Sequence, residues 1–148
     1  MDEQKSQEKE QEEKRKERKD VKKEEGEDYK TEESEEEILL DNSKTFISSA
    51  STLYLKKDFT SATILYFKAL FSIFDLMILK DKGKSPKDHG ERFRILEKEY
   101  PALYSLLDKI YPVYRDTYNV KINKETCDSI KKDVERIAKE QGILQNNK

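Results

Sequence analysis

Apolar side chains recur at helical spacing between about residues 36 and 142, with polar residues at the intervening positions. Each run is bounded by a capping residue, a glycine or a proline, which are typical helix ends. The pattern predicts helices at about Glu36–Lys56, from Asp58 or Thr60 to about Asp81, at about Asp88–Tyr100, from Pro101 onward, and from Asn123 to Gly142. Pro112 lies inside the fourth run and either kinks or splits that helix, so four or five helices are expected.

The second predicted helix contains the most apolar segment of the chain, Ile64–Leu79. Its apolar residues follow two rows rather than one, which indicates a central helix that contacts several neighbours. The segment is shorter than the ~20 residues of a membrane span. It also contains Lys68 and Asp75, which are costly at the centre of a bilayer. We therefore expect a buried helix and no membrane partner.

No convincing strand pattern competes with these helices, and short connections between long helices favour antiparallel neighbours. Residues 38–148 are therefore predicted to form an all-α domain, an antiparallel helical bundle of four to five helices. Residues 1–37 contain Val21 and Tyr29 as their only sizeable apolar side chains beyond Met1. Such a segment buries too little surface to offset the entropy of ordering it, so we expect a disordered or loosely helical charged tail.

The two predicted parts of the chain differ in charge. Residues 1–37 contain 17 acidic and 10 basic residues, whereas residues 38–148 contain 15 acidic and 20 basic residues. A mildly basic domain could favour RNA or another polyanion. Its lysines are scattered, however, and nucleic-acid binding usually needs a clustered basic stripe. An ordinary solvated helical surface is the alternative interpretation.

The chain has one cysteine, Cys127, and one histidine, His89, so an internal disulfide is impossible and a zinc site is not expected. We predict no metal and no cofactor. The N-terminus lacks the apolar run of a secretory signal, and its acidic content argues against a transit peptide. These features favour a cytoplasmic protein.

His89 is the first candidate for chemistry, because a histidine beside an orienting carboxylate can act as a general base. Asp88 and Glu91 are close to it in sequence, and Arg92 follows one helical turn later. The alternative is that His89 packs or caps locally in the first turn of the third helix. No serine or cysteine nucleophile can be assigned to it.

Asp75 is a carboxylate in the most apolar helix, and a buried carboxylate needs a partner. Arg115 on the fourth helix is a candidate partner. Alternatively, Asp75 marks the solvent-facing edge of its helix, next to Lys68 or Lys82.

The region from residue 111 to residue 118 combines aromatic and cationic side chains more densely than any other. Arg115 and Tyr118 share a helix face if the fourth helix continues past Pro112, and Tyr111 and Tyr114 are nearby. Aromatic side chains beside an arginine can stack on bases and hold phosphate. Core and rim packing is the alternative.

Several residues together resemble the HEPN family of small prokaryotic helical bundles. They are the turn Lys57-Asp58-Phe59, the apolar helix Ala62–Leu79, the loop residues Gly83, Pro86 and Asp88-His89, and the late segment Tyr114–Tyr118. The resemblance covers about Glu36 to Ile143. It implies a helical bundle, a homodimer and a binding partner, since these domains are often paired with nucleotidyltransferases.

Ribonucleases of the HEPN family carry an arginine followed a few residues later by a histidine on the late helix. Arg115 matches the arginine, but Val120, Lys121 and Ile122 occupy the positions for the histidine. The sequence therefore predicts a non-catalytic HEPN-like interaction domain that binds a partner protein, a nucleotide or RNA. The alternatives are a divergent ribonuclease that uses Arg115 with His89 or Tyr118, and a purely structural helical adaptor. The candidate surface consists of Asp75, His89, Arg92, Tyr111, Tyr114, Arg115 and Tyr118, with no catalytic residue assigned.

Overall fold

The computed structural model of the protein describes residues 5–10, 29–30 and 32–145, and the chain divides into two units, Met1–Glu33 and Ser34–Lys148. In the first unit, residues 5–10 are helical and exposed. Most of the predicted tail lies outside the described residues, so its disorder stays a prediction. The described part of the second unit is all-α, which confirms the predicted fold class. Its helices are α1 (Glu35–Leu55), α2 (Phe59–Lys82), α3 (His89–Glu99), α4 (Pro101–Asp116) and α5 (Lys124–Glu140).

Side-chain caps and special residues set the ends of these helices. Four helices begin after a residue whose side-chain oxygen accepts a backbone N–H of the first turn, at Ser34, Asp58, Asp88 and Asn123. Pro101 opens α4, where its missing N–H costs nothing. Gly83 follows α2 and Gly142 follows α5, and both have the positive φ angle that is common just after a helix. These local signals explain why the boundaries predicted from sequence agree closely with the observed ones.

The α2 helix lies at the centre of the bundle, as its two apolar rows predict. Twelve of its 24 residues are buried, more than in any other described helix. A three-residue turn, residues 56–58, returns the chain from α1 to α2, and the two helices pack extensively as an antiparallel pair. The α5 helix packs against α2 as well, and α4 contacts both α2 and α3.

Among the described residues, α2 is the one helix that is long and apolar enough to cross a membrane by length and composition. In this structure, 67% of its most apolar window is buried inside the bundle. The core helix of a soluble protein has the same composition, so burial accounts for the apolar character of α2.

Pro112 does not split α4, which continues through it from Pro101 to Asp116. The helix then ends, and Tyr118 lies in the turn that follows, where its N–H donates to the carbonyl of Arg115. The prediction that Arg115 and Tyr118 share a helix face is therefore wrong. The helix ends before Tyr118 because Thr117 forms its C-cap.

Polar side chains link α3 to α2 near both ends of α3. Arg92, in the first turn of α3, forms an ion pair with Asp75 of α2. At the end of α2, Lys82 pairs with Glu99, and the hydroxyl of Tyr100 donates to Asp81. These contacts place the start of α3 beside α2 and α4, where the candidate residues meet.

Candidate ligand-binding face

Asp75 and Arg92 form a two-point ion pair between α2 and α3. Arg92 donates from Nε to one carboxylate oxygen of Asp75 at 2.7 Å and from Nη2 to the other at 2.8 Å. The Asp75 side chain is 14% exposed and that of Arg92 is 9% exposed. Both predicted surroundings of Asp75 are therefore wrong, since its partner is not Arg115 and it does not lie at a solvent-facing edge with a lysine.

The sequence alone left the partner of Asp75 undecided because it does not show which cation faces α2. Arg115 is exposed on α4, and both carboxylate oxygens of Asp75 accept from Arg92 instead. Lys82, the other alternative, pairs with Glu99 instead. Arg92 points towards α2, because it lies one turn after His89 on the inner side of α3 and is buried.

His89 is the first residue of α3, and its ring is held from two sides. Its Nδ1 atom lies 2.6 Å from Nη1 of Arg92. Its ring packs edge-on against Phe71, with centroids 4.8 Å apart. Burial lowers the pKa of His89 below its ordinary value of 6.5, and the neighbouring Arg92 lowers it further. The surroundings of His89 therefore agree with the interpretation that it packs locally in the first turn of α3.

Three tyrosines follow one another along α4 and the turn after it. The ring of Tyr114 lies 5.6 Å from that of Tyr111 and 5.9 Å from that of Tyr118, and the hydroxyls of Tyr114 and Tyr118 are 3.4 Å apart. Tyr114 is buried, whereas Tyr118 is 78% exposed. Burial and the hydrogen bond to Tyr118 raise the pKa of Tyr114 to about 12, so this phenol stays protonated at neutral pH.

Arg115 lies beside these tyrosines on the solvent side. Its guanidinium carbon is 5.9 Å from the centre of the Tyr111 ring, which is within the range of a weak cation–π contact. It is exposed and forms no ion pair within the part of the chain that the structure describes. We call Tyr111, Tyr114, Arg115 and Tyr118 the tyrosine face.

The Asp75–Arg92–His89 network and the tyrosine face meet at His89. The His89 ring lies 5.9 Å from both Tyr111 and Tyr114. The structure thus brings all seven candidate residues into one continuous cluster, with a buried ionic end and an exposed aromatic end. Their functional role stays a prediction.

Two residues of α2 belong to this cluster but were not selected from the sequence as part of the site. Phe71 packs against His89 and lies under the guanidinium of Arg92, 4.7 Å from its carbon to the ring centre. Lys68 is exposed and close enough to His89 to lower its pKa. The available signal was their spacing, because Lys68, Phe71 and Asp75 lie one turn apart on the same side of α2.

The outer end of the tyrosine face, formed by Arg115 and Tyr118, is open to solvent. Two surface grooves of about 630 and 640 Å³ lie elsewhere, one along α5 and one between α1, the end of α2 and the segment after α5. No residue of the seven-residue cluster lines either groove. An open face of this kind suits an extended ligand or a flat partner surface better than a small enclosed molecule.

The cluster offers hydrogen-bond donors, cations and aromatic rings, but no set of metal ligands. Among the described residues, no three histidine, cysteine or acidic side chains are grouped closely enough to hold a metal ion. The cysteine, Cys127, is buried in the core, and burial raises the pKa of its thiol. The chemistry available at the face is therefore binding through charge, hydrogen bonds and stacking.

No protein-family model matches this chain, and neither a curated protein nor a solved structure matches it. The HEPN resemblance accordingly depends on the sequence features described above. What that resemblance implies about activity and partners is carried forward as a proposal.

Proposed function

We propose that residues 34–145 form a non-catalytic, HEPN-like binding domain whose tyrosine face takes a nucleotide or single-stranded RNA. The observation that carries the proposal is the exposed ring of Tyr118 together with the exposed guanidinium of Arg115, which lies over the partly buried ring of Tyr111. Tyr118 is 78% exposed although it is a large aromatic residue, and its ring packs against the buried ring of Tyr114. Exposed aromatic side chains beside an unpaired arginine are suited to bases and phosphates.

The ligand contacts follow from the chemistry of these groups. A base stacked on Tyr118 would gain ~1–3 kcal/mol, the usual range for base–aromatic stacking. The planar guanidinium of Arg115 can donate two parallel hydrogen bonds to a phosphate. Lys68 adds a second cation near His89. Stacking and phosphate contacts do not read base edges, so little sequence preference is expected.

The non-catalytic part of the proposal is supported by the hydrogen bond between Arg92 and His89. An arginine remains protonated and has no acceptor, so Nδ1 of His89 must accept this bond. The proton of the neutral imidazole then lies on Nε2, which leaves neither nitrogen free to take a proton from an RNA 2′-hydroxyl. His89 can instead donate a hydrogen bond from Nε2.

We extend the proposal to a homodimer with a nucleotidyltransferase-type protein partner, as the resemblance implies. A cytoplasmic location is proposed from the composition of the N-terminus. The groove of about 640 Å³ supports the dimer, because apolar side chains of α1 and α2 line it. These side chains include Leu40, Ile73, Leu76 and Met77. A two-fold dimer is the commonest assembly of soluble proteins and would cover this surface.

Binding and cleavage can be tested together with the full chain and a fluorescently labelled oligouridylate. We expect fluorescence anisotropy to rise on titration with protein, and the RNA to stay intact during prolonged incubation without metal. Metal-independent cleavage that disappears in His89→Ala would contradict the non-catalytic assignment. Intact RNA with no change in anisotropy would contradict the binding assignment.

A further inference from the structure

His89 accepts a hydrogen bond from a cation that cannot lose its proton. Nη1 of Arg92 lies 2.6 Å from Nδ1 of His89, and the other two donor groups of Arg92 are committed to Asp75. If His89 gains a proton at Nδ1, two N–H groups and two positive charges face each other at this distance. The contact is therefore compatible with neutral His89 only.

The other charged groups around His89 do not provide a new partner for its proton. On α2, both oxygens of Asp75 accept from Arg92, and Lys68 is a further cation. Directly before α3, Asp88 accepts from the N–H of Glu91 as the helix cap. Asp75 and Asp88 both act to raise the pKa of His89, but burial and Arg92 outweigh them, so the pKa is lowered. On α4, the groups facing the ring are Tyr111 and Tyr114, and the phenol of Tyr114 stays protonated at neutral pH.

The position of His89 also disfavours its charged form. It is the first residue of α3, where the positive end of the helix dipole repels a cation. Its ring is packed among Phe71, Tyr111 and Tyr114, so a charged imidazole would lose much of its hydration. Burial and Arg92 both lower its pKa, in agreement with this geometry.

We propose that His89 is a pH-operated latch for the tyrosine face, closed when the imidazole is neutral and opened when it is protonated. The closed latch joins the Asp75–Arg92 pair to Tyr111 and Tyr114, and so holds the start of α3 against α4. Protonation breaks the bond to Arg92 and drives the ring out of its aromatic surroundings. Tyr111 and Tyr114 then lose their contacts with the His89 ring. This regulation rests on the proposed ligand-binding function of the same face.

The latch predicts that acid weakens RNA binding, which is opposite to a simple charge effect. An added positive charge would strengthen attraction to RNA phosphates. If the ligand binds only the closed form, the apparent Kd instead rises as the neutral fraction of His89 falls. Well below the folded pKa of His89, that rise is ~10-fold per pH unit.

The test uses the full chain, because His89 is its only histidine and gives one unambiguous imidazole NMR signal. The signal of His89 Cε1–H is followed from about pH 8 to about pH 5, together with the tyrosine ring signals and oligouridylate anisotropy. We expect a midpoint below 6.5, tyrosine shifts with the same midpoint, and weaker binding below it. A midpoint at or above 6.5, or tyrosine signals that do not follow it, would overturn the latch.

His89→Asn is the decisive variant, because the Asn side-chain oxygen can accept from Arg92 but does not titrate. We expect this variant to bind oligouridylate equally well at both ends of the pH range. His89→Phe keeps an aromatic ring but removes the acceptor, and should bind weakly throughout. Binding of the wild-type chain that does not vary with pH would overturn the latch and leave the proposed function standing. Coupled histidine and tyrosine titration without RNA binding at any pH would support the latch and overturn the proposed function.

Discussion

Arg92 holds both carboxylate oxygens of Asp75 with two separate N–H donors, at 2.7 and 2.8 Å. Two parallel hydrogen bonds of this kind fix the relative orientation of the two side chains as well as their separation, because the planar guanidinium matches the carboxylate plane. The pair joins α2 to α3. The third nitrogen of the same guanidinium lies 2.6 Å from Nδ1 of His89, so the pair also connects α2 to the His89 ring.

Removing one partner of this pair should destabilise the domain strongly. Asp75→Ala leaves the guanidinium of Arg92 mostly buried without a counter-ion, and breaking such a pair costs ~3–5 kcal/mol. Urea denaturation followed by far-UV circular dichroism measures the change in the free energy of unfolding.

Glu99→Ala provides the matched control for Asp75→Ala. It breaks the more exposed ion pair between Lys82 and Glu99, which also joins α2 to α3. We expect a much smaller loss of stability than for Asp75→Ala, because water screens an exposed ion pair. Equal losses in the two variants would show that the Asp75–Arg92 pair has no special structural role.

The fold could be predicted from the sequence because its signals are local. Asp58, Asp88 and Asn123 each lie directly before an apolar helical run, and each caps the predicted helix. The central place of α2 follows from its two apolar rows, which no single neighbour could cover. The end of α4 was harder to predict, because the sequence continues with Arg115 and Tyr118 at helical spacing although the helix stops at Asp116.

The seven residues that cluster around His89 could be selected from the sequence, but the pairing among them could not. Unusual residues were recognisable one by one, such as a carboxylate in an apolar helix and a single histidine. The partner of Asp75 depends on how α3 lies against α2, which the loop of residues 83–88 determines and helical periodicity does not. Arg92 and Arg115 therefore could not be distinguished until the helices were placed.

Stability should depend on pH through His89. Its pKa in the folded chain lies below the unfolded value of about 6.5, so the unfolded chain takes up the proton first as the pH falls. The contribution of neutral His89 is fully present above about pH 6.5 and is lost as the pH falls through the folded pKa. Urea denaturation at several pH values measures this dependence.

The His89→Asn variant separates this effect from the titration of the many carboxylates. The difference in unfolding free energy between wild type and variant should change below about pH 6.5 and stay constant above it. A difference that is constant across the whole range would mean that His89 has the same pKa in both states.

The chain should form a dimer through the groove between α1 and α2. A charge at Met77, on the lining of that groove, would have to be buried in the dimer. We expect wild type to sediment as a dimer at tens of micromolar and Met77→Glu to sediment as a monomer. Leu55→Glu is the control, because Leu55 is 81% exposed and lies outside the groove. Wild type that sediments only as a monomer would refute the dimer.

Residues 1–33 should contribute little to the stability of the bundle. Their composition offers almost no apolar surface, and Ser34 supplies the cap of α1. A chain that begins at Ser34 should keep its helical circular dichroism, with a melting temperature within a few degrees of the full chain. A large fall in the melting temperature would show that the tail stabilises the folded domain.

The role of Arg115 can be separated from that of Arg92, since the two arginines have opposite surroundings. Arg115 is exposed beside Tyr111, so Arg115→Ala should leave the free energy of unfolding almost unchanged. Its oligouridylate affinity should fall several-fold, because a phosphate would lose a guanidinium partner. Anisotropy and urea denaturation on the same preparation measure both quantities.

Two further variants show whether a loss of affinity is specific to the tyrosine face. Tyr118→Ala removes the exposed ring and should weaken binding by ~1–3 kcal/mol, the range for one stacked base. Arg136→Ala removes an exposed arginine from α5, away from the face, and should leave affinity close to wild type. If Arg136→Ala weakens binding as much as Arg115→Ala while Tyr118→Ala leaves it unchanged, the RNA responds only to overall charge and the face is not its site. If Arg115→Ala alone lowers stability by ~3–5 kcal/mol, Arg115 has a structural role that its exposed position does not indicate.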